Sequence, residues 1–455
     1  MPRIFRLFAA LSSFFLFAGC GKTYTIQINN PNINENRQIV LFLDGTANDR
    51  DSRTNVSALS EIIKNQDKDN LFIFYNEGPG TDGRILGAAT GWGIAKDVRD
   101  AYAFLSQYYE PKSKLYIFGF SRGAYTARML AGMLFTIGLY DLKDFKESDR
   151  VNLVNELYYA YKGEDKKKSD IHEKGKAIIA RARSLPSTAS ETEFKLNNKV
   201  AIDVMGLWDT VEALGLVPSV RALGRKIGRL FGKKPLPNIA TSNDRYFDQI
   251  CNAKHIYHAL SLDDNRAFVF VPIIMTSDHV VPKDSGCKDK KTEIAKVEEV
   301  WFAGAHADVG GGYNKDERNK NDKSTSDKDV SLSGVSLNWM MSRIKEDAPN
   351  LLPEDANVYQ NHLAYSHDAE SGIKIAYEDY RRTEILTTLY LQKSEYEKIK
   401  IHSSVFDRIQ EVAKGRQNMG FDSEWYKDPY FKDCFEDPKN NNYEFKDCSV
   451  IERVD

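Results

Sequence analysis

Lys114-Leu115-Tyr116-Ile117-Phe118-Gly119-Phe120-Ser121-Arg122-Gly123-Ala124 is the stretch whose reading decides the fold. A short apolar run ends in Gly-x-Ser-x-Gly and opens into helical spacing through Tyr125, Ala127, Met129, Leu130 and Met133. Strand, sharp turn and helix in that order are what a nucleophile elbow requires. The turn forces Ser121 into a strained backbone conformation, and Gly119 and Gly123 leave room for the close packing around it. The helix that follows aims its positive dipole end at the serine, where a developing oxyanion is stabilised. A Gly-x-Ser-x-Gly met by chance in a loop would lack the strand before it and the helix after it.

Similar runs lie on either side. Gln38 to Leu43 ends at Asp44-Gly45-Thr46, Leu71 to Tyr75 ends at Asn76-Glu77-Gly78-Pro79-Gly80, and Val200 to Trp208 ends at Asp209-Thr210. Ala267 to Met275 is nearly continuous in apolar residues, and Val297 to Ala305 ends at His306. Near-continuous apolar strands alternating with helical patterns predict an α/β fold with a mostly parallel sheet covered by helices. In such sheets the site forms at the carboxyl ends of the strands. Ser121, Asp209 and His306 each stand just past such an end.

These three residues also follow the chain order Ser, then Asp or Glu, then His of the α/β-hydrolase fold. Ser121 is the candidate nucleophile. Of eight histidines, His306 is the candidate base, because small residues and glycines flank it and suit a tight loop projecting into a cleft. His258 reads instead as part of a structural helix. Asp209 is the candidate acid, since a buried carboxylate at a strand end fixes the imidazole tautomer. It would also suit a helix N-cap, and Asp263 and Asp308 are its rivals. The oxyanion hole is expected from the backbone N–H of Arg122 with one from Gly45 or Thr46. Asp44 either holds that loop by hydrogen bonds or binds a cation. No metal or organic cofactor is required.

The chain has 455 residues, 42% hydrophobic and 28% charged, with a formal net charge of −2, ample for a large core and unlike a nucleic-acid-binding protein. Arg3 and Arg6 precede an apolar region from Leu7 to Phe17, which ends at Ala18-Gly19-Cys20. That resembles a bacterial lipoprotein signal, implying cleavage before Cys20 and lipidation of its thiol. The expected location is the cell envelope, lipid-anchored to the outer membrane or to the periplasmic face of the inner membrane. The expected organisation is signal 1–20, linker 21–37, catalytic domain 38–410 and C-terminal extension 411–455. Within the domain, the charged segment 140–192 is read as a helical cap insertion and 314–328 as an exposed loop. The tail from Gly420 reads as a loosely structured surface extension. In an oxidising compartment Cys434 and Cys448 are candidates for a disulfide, while Cys251 and Cys287 read as buried or unpaired thiols. No Cys/His spacing reads as a metal site.

Several blocks in order resemble one family. They are Asp44-Gly45-Thr46, Thr54-Asn55-Val56, Gly119 to Ala124, Trp208-Asp209-Thr210-Val211, His258 to Asp263 with Arg266, Trp301 to Tyr313, and His402-Ser403-Ser404-Val405. Together they resemble the α/β-hydrolase domain family that includes type VI secretion phospholipase effectors. The resemblance runs from about Gln38 to Ile409. It implies Ser121, Asp209 and His306 as a triad, and hydrolysis of lipid esters, most often glycerophospholipids. Such effectors are usually made without a signal peptide. The lipoprotein-like leader therefore points to a lipase or esterase of the producer's own envelope rather than an injected toxin.

Residues 219–234 add a membrane-facing candidate. Val220, Leu223, Ile227, Leu230 and Phe231 recur at helical spacing among Arg221, Arg225, Lys226, Arg229, Lys233 and Lys234. Such a basic amphipathic helix suits an anionic lipid surface, or else a surface helix with its stripe in the core. The reading is therefore a membrane-anchored serine hydrolase acting on phospholipid or another lipid ester through an acyl-enzyme. The same residues leave open a small-ester esterase, or a non-catalytic envelope binding module on the same fold.

Overall fold

The computed structural model describes residues 24–45, 53–78, 92–162, 168–186, 190–211, 250–264, 296–313, 330–369, 382, 386 and 398–455, except 31, 34–35, 67, 417–418, 423 and 438–441. Nine of its strands form one sheet, numbered here in chain order. They are β1 (Tyr24–Ile28), β2 (Gln38–Leu43), β3 (Leu71–Asn76), β4 (Lys114–Phe120), β5 (Ile202–Trp208), β6 (Ala253–Ser261), β7 (Lys296–Phe302), β8 (Ile399–His402) and β9 (Ile451–Val454). The spatial order is β1-β3-β2-β4-β5-β6-β7-β8-β9. Only β1 runs antiparallel to its neighbour; the other pairs are parallel. This is the doubly covered, mostly parallel sheet of an α/β-hydrolase.

Two apolar layers cover the faces. One face, with Ile39, Leu41, Phe72, Phe74 and Ile117, packs under α2 (Trp92–Tyr108) and α3 (Arg122–Ile137). The other, with Val40, Phe42, Phe118 and Val204, packs under α1 (Asn55–Lys64) and the helix Ser333–Asp347. Burial on both faces is why the strands read as unbroken apolar runs rather than alternating ones.

Every residue of α3 except Phe135 is buried. A helix apolar all round needs a second layer outside it, and the charged insertion supplies that layer. It begins at a two-stranded ribbon, Leu139–Tyr140 with Leu196–Asn197, after the end of α3 that is remote from Ser121. Its helices α4 (Glu147–Lys162) and α5 (Lys168–Arg183) pack against each other and against α2 and α3. Leu153, Val154, Leu157, Tyr158, Tyr161 and Ile179 enter the same core. The insertion is helical as expected. Its described apolar face lies on the helix layer, so it acts there as a flanking layer rather than a cap over the serine.

Three other expectations change. Residues 24–28, read as linker, pair with β3 from Tyr24↔Asn76 to Ile28↔Phe72. His258 lies on strand β6, not on a helix; it is fully buried, and both ring nitrogens have partners, so a polar residue sits in a strand without cost. The tail is packed rather than loose. Trp425, Tyr426, Phe431, Phe435 and Tyr443 form a third core with Trp301, Ile401 and Phe406, and β9 extends the sheet. Cys434 and Cys448 form a disulfide. Cys251 is also disulfide-bonded, which corrects its reading as a buried or unpaired thiol. The leader with Cys20, Thr46, residues 219–234, the run 267–275, Cys287 and the loop 314–328 lie outside the described residues.

Candidate active site

The carboxyl ends of the central strands continue to pair past their last ladder residues. Ser121 N–H donates to Trp208 O at 2.9 Å, and Asp209 N–H donates to Ala259 O at 2.7 Å. Leu262 N–H donates to Phe302 O at 2.9 Å, and Asp263 N–H to Gly304 O at 3.1 Å. The loops that carry Ser121, Asp209, Ser261 and His306 are thereby stitched side by side along one edge.

Ser121 has φ 58° and ψ −121°, a strained conformation for a residue with a side chain. Its two glycines are structurally required. A Cβ on Gly119 would lie 2.7 Å from the backbone of Ala124, and one on Gly123 would overlap the Leu43 carbonyl. Arg122 follows as the first residue of α3, where backbone N–H groups have no acceptor within the helix.

Asp209 also carries a positive φ, 37°, and is fully buried. Five donors meet its two oxygens. Oδ1 accepts from Ser261 N–H at 3.1 Å and from Arg382 Nη1 at 2.9 Å. Oδ2 accepts from Ser261 Oγ at 3.0 Å, Arg382 Nη2 at 3.1 Å and His306 Nδ1 at 2.6 Å. Burial alone would raise its pKa. The Arg382 charge and the His306 hydrogen bond outweigh burial and hold the carboxyl well below the usual range. An ionised carboxylate only accepts, so the imidazole proton resides on Nδ1 and Nε2 carries the lone pair.

His306 opens the short helix α6 (His306–Gly310). Its ring lies 4.6 Å from that of Phe120, the residue before Ser121. Its backbone N–H donates to Asp264 Oδ2 at 3.1 Å. The rival acids are engaged elsewhere. Asp263 Oδ2 accepts from Gly304 N–H at 2.5 Å. Asp308 accepts from Ala305 N–H at 3.0 Å and pairs with His367 Nδ1 at 2.7 Å.

His258 braces the residue after Asp209. Its Nε2 accepts from Thr210 N–H at 3.0 Å, which places its proton on Nδ1, donated to Glu299 Oε1 at 2.7 Å. The loop expected to carry an oxyanion donor is held by Asp44. Its Oδ1 accepts from Gly45 N–H at 2.7 Å, and its Oδ2 accepts from Thr54 Oγ1 and Tyr75 OH, both at 2.6 Å. Gly45 therefore does not present a free amide as expected, because its neighbour's carboxylate has taken it. Thr54 also caps α1 by accepting from Ser57 N–H at 3.0 Å. Asn55 Nδ2 donates to Val309 O at 2.8 Å, tying this loop to the end of α6.

Asp97 interacts electrostatically with Arg122. Burial pushes its carboxyl up to about 7, although Asn76 Nδ2 donates to it at 3.2 Å and Lys96 and Arg122 are cationic neighbours. Burial likewise lowers the Arg122 guanidinium to about 10, against the pull of Asp97.

Arg382 was not legible in the sequence. It stands in the charged run Glu378-Asp379-Tyr380-Arg381-Arg382, which has no periodicity to mark one buried arginine.

An uncharacterized protein of Saccharomyces cerevisiae is 25% identical over 266 residues, 54% of this chain and 34% of that protein. The chain thus spans about a third of the length of that relative. Among solved structures, Thermogutta terrifontis esterase 2 phosphoramylated by tabun aligns with a TM-score of 0.33 and 13% identity, over 73% of this chain and 92% of that one. Zea mays acyl-protein thioesterase 2 aligns with a TM-score of 0.27 and 11% identity, over 62% and 90%. The family described as "T6SS, Phospholipase effector Tle1-like, catalytic domain" matches residues 37–343, well over half of the chain. On that match, the chain belongs to the Tle1-like phospholipase effector family.

Proposed function

We propose that the protein is a serine hydrolase that cleaves carboxylic esters of phospholipids through an acyl-enzyme on Ser121. The observation that carries this is the 2.6 Å bond from His306 Nδ1–H to the buried Asp209, set beside a serine held at positive φ at a strand–helix turn. His306 Nε2 takes the Ser121 hydroxyl proton as Oγ attacks the ester carbonyl, and Asp209 stabilises the imidazolium. The Arg122 N–H, with Thr46 N–H as the second donor in place of the committed Gly45 amide, receives the oxyanion. Collapse expels the alcohol, protonated by His306, and leaves the acyl group on Ser121. Water, deprotonated by His306, then releases the fatty acid.

Family membership supports lipid substrates. Among the described residues no helix is long and apolar enough to cross a membrane. Anchoring is proposed to come from lipidation of Cys20, with the basic segment 219–234 meeting anionic headgroups and the mature protein in the bacterial envelope.

The test uses protein lacking residues 1–20 with phosphatidylethanolamine and phosphatidylglycerol liposomes. Fatty acid and lysophospholipid release is expected from wild type and reduced at least about 10³-fold in Ser121→Ala. Absence of release and of fluorophosphonate labelling in wild type would overturn the reading. Labelling without phospholipid release would keep the serine hydrolase and move the substrate to other esters.

A further inference from the structure

Asp209 is held by a buried arginine as well as by the imidazole. Arg382 is 2% exposed, and its two terminal nitrogens reach the two oxygens of Asp209 at 2.9 and 3.1 Å. Nη1 also donates to Ser261 O at 3.2 Å. With Ser261 N–H and Oγ, four donors besides His306 hold the two oxygens of the carboxylate. The carboxylate plane is therefore fixed by a guanidinium fork, a geometry that lysine does not reproduce.

We infer that Arg382 is a positioning residue for the catalytic pair, orienting Asp209 toward His306 and neutralising its charge so that His306 remains a free base at lower pH. The inference rests on the serine-hydrolase reading of the site. A lone buried carboxylate beside an imidazole strongly favours the imidazolium. A carboxylate already paired with a guanidinium favours it less, because the triad then holds one more positive charge in a buried setting.

Among the described residues, several charged groups stand near His306. Asp209 meets its ring, and Asp264 meets its backbone N–H. Asp308, on its own helix, is paired with His367. His258, with Glu299, stands behind Thr210. Arg382 is the cation bound to the carboxylate that His306 uses.

The test is the pH profile of kcat/KM on a soluble short-chain ester, between about pH 4 and 9, for wild type, Arg382→Lys, Arg382→Gln and Arg382→Ala. Rates are normalised to the fluorophosphonate-titrated serine, so that unfolded protein does not count. Arg382→Gln is expected to move the acid limb upward by about one pH unit and to lower the plateau about tenfold or more. Arg382→Lys should keep the limb near that of wild type while the plateau falls, because charge remains and the fork is lost. Millimolar guanidinium should restore about fivefold or more of the lost rate in Arg382→Ala and bring its limb back. A wild-type limb and plateau in Arg382→Gln would overturn the inference. So would a rate loss that guanidinium leaves untouched, with no movement of the limb, since that is the signature of a purely structural role. If Gln and Ala variants do not fold, the Lys variant decides: an unchanged plateau overturns the inference. Failure of wild type itself to label would instead strike the serine-hydrolase reading, and is read in the same titration.

Discussion

Gly45 gives its backbone N–H to the carboxylate of Asp44, 2.7 Å away, so this amide is committed before any ester arrives. The same carboxylate also accepts from Thr54 and Tyr75. Three donors thus converge on one buried anion at the edge of the expected oxyanion hole. Asp44 acts here as an internal fastener, tying the end of β2 to β3 and to the cap of α1. Asp44→Asn would replace one accepting oxygen by an NH2 group facing a donor. It is expected to lower kcat about 10²-fold with little change in KM, because a loosened oxyanion loop affects the transition state more than the bound ester. Steady-state kinetics on a soluble ester check this; a raised KM at unchanged kcat would assign Asp44 to substrate binding instead.

His258 predicts a stability effect with a catalytic consequence. His258→Phe has similar bulk but leaves the Thr210 N–H without its His258 acceptor and removes one donor from the Glu299 carboxylate. Loss of the acceptor for a buried donor is expected to cost about 2 kcal/mol. Thr210 is the residue after Asp209, so activity per folded molecule should fall too. Denaturant melts measured alongside active-site titration separate the two effects.

Gly123 has no room for a methyl group, since a Cβ there would overlap the Leu43 carbonyl. Gly123→Ala is expected to push α3 away from β2 and abolish fluorophosphonate labelling. Should the variant label at the wild-type rate, the tight fit of the elbow against β2 would be wrong.

Asp97 predicts an unusual dependence of stability on pH. Burial raises its carboxyl from 3.8 to about 7 in the folded state. Between those values the folded protein holds a proton that the unfolded chain has released, so its contribution to stability falls as pH rises from about 4 to 7. His402 acts in the opposite sense over much of the same window, because burial lowers it from 6.5 to about 4. The wild-type profile alone therefore mixes the two. Asp97→Asn should gain on the order of a few kcal/mol relative to wild type as pH rises through that window. A constant difference between the two proteins across pH 4 to 7 would refute the assignment.

The Cys434–Cys448 bridge closes a short loop, with a sequence separation of 14, in the third core. Replacing both cysteines by alanine is expected to destabilise the protein by about 3 kcal/mol, seen as a lower Tm. Activity per folded molecule is expected to change little, because the bridge joins two tail residues and acts mainly by constraining the unfolded chain, although Leu260 and Leu262, on either side of Ser261, belong to the same core. A loss of activity with Tm preserved would show the tail acting on the site.

The residues around Ser121, Asp209 and His306 were legible in the sequence because each follows an apolar run, and a strand buried on both faces leaves that mark on composition. The Ser121 turn was legible for the same reason, with glycines at the two positions where a Cβ would collide with the backbone of Ala124 and of Leu43. Local chemistry decided these features. The role of Arg382 came from the tertiary structure alone: it lies 173 residues from Asp209, and nothing near it in sequence distinguishes a buried arginine from an exposed one. His258 was misread for a related reason, since its partners Thr210 and Glu299 lie on neighbouring loops and strands. The insertion was recognisably helical from its own residues. That it flanks α3 follows from the outer face of that helix, whose demand for cover exists only once the sheet has buried the inner one. Periodicity records what a residue does within its own element. The partners that neutralise a buried charge or satisfy a buried ring nitrogen are brought in by distant segments, and only the folded chain specifies them.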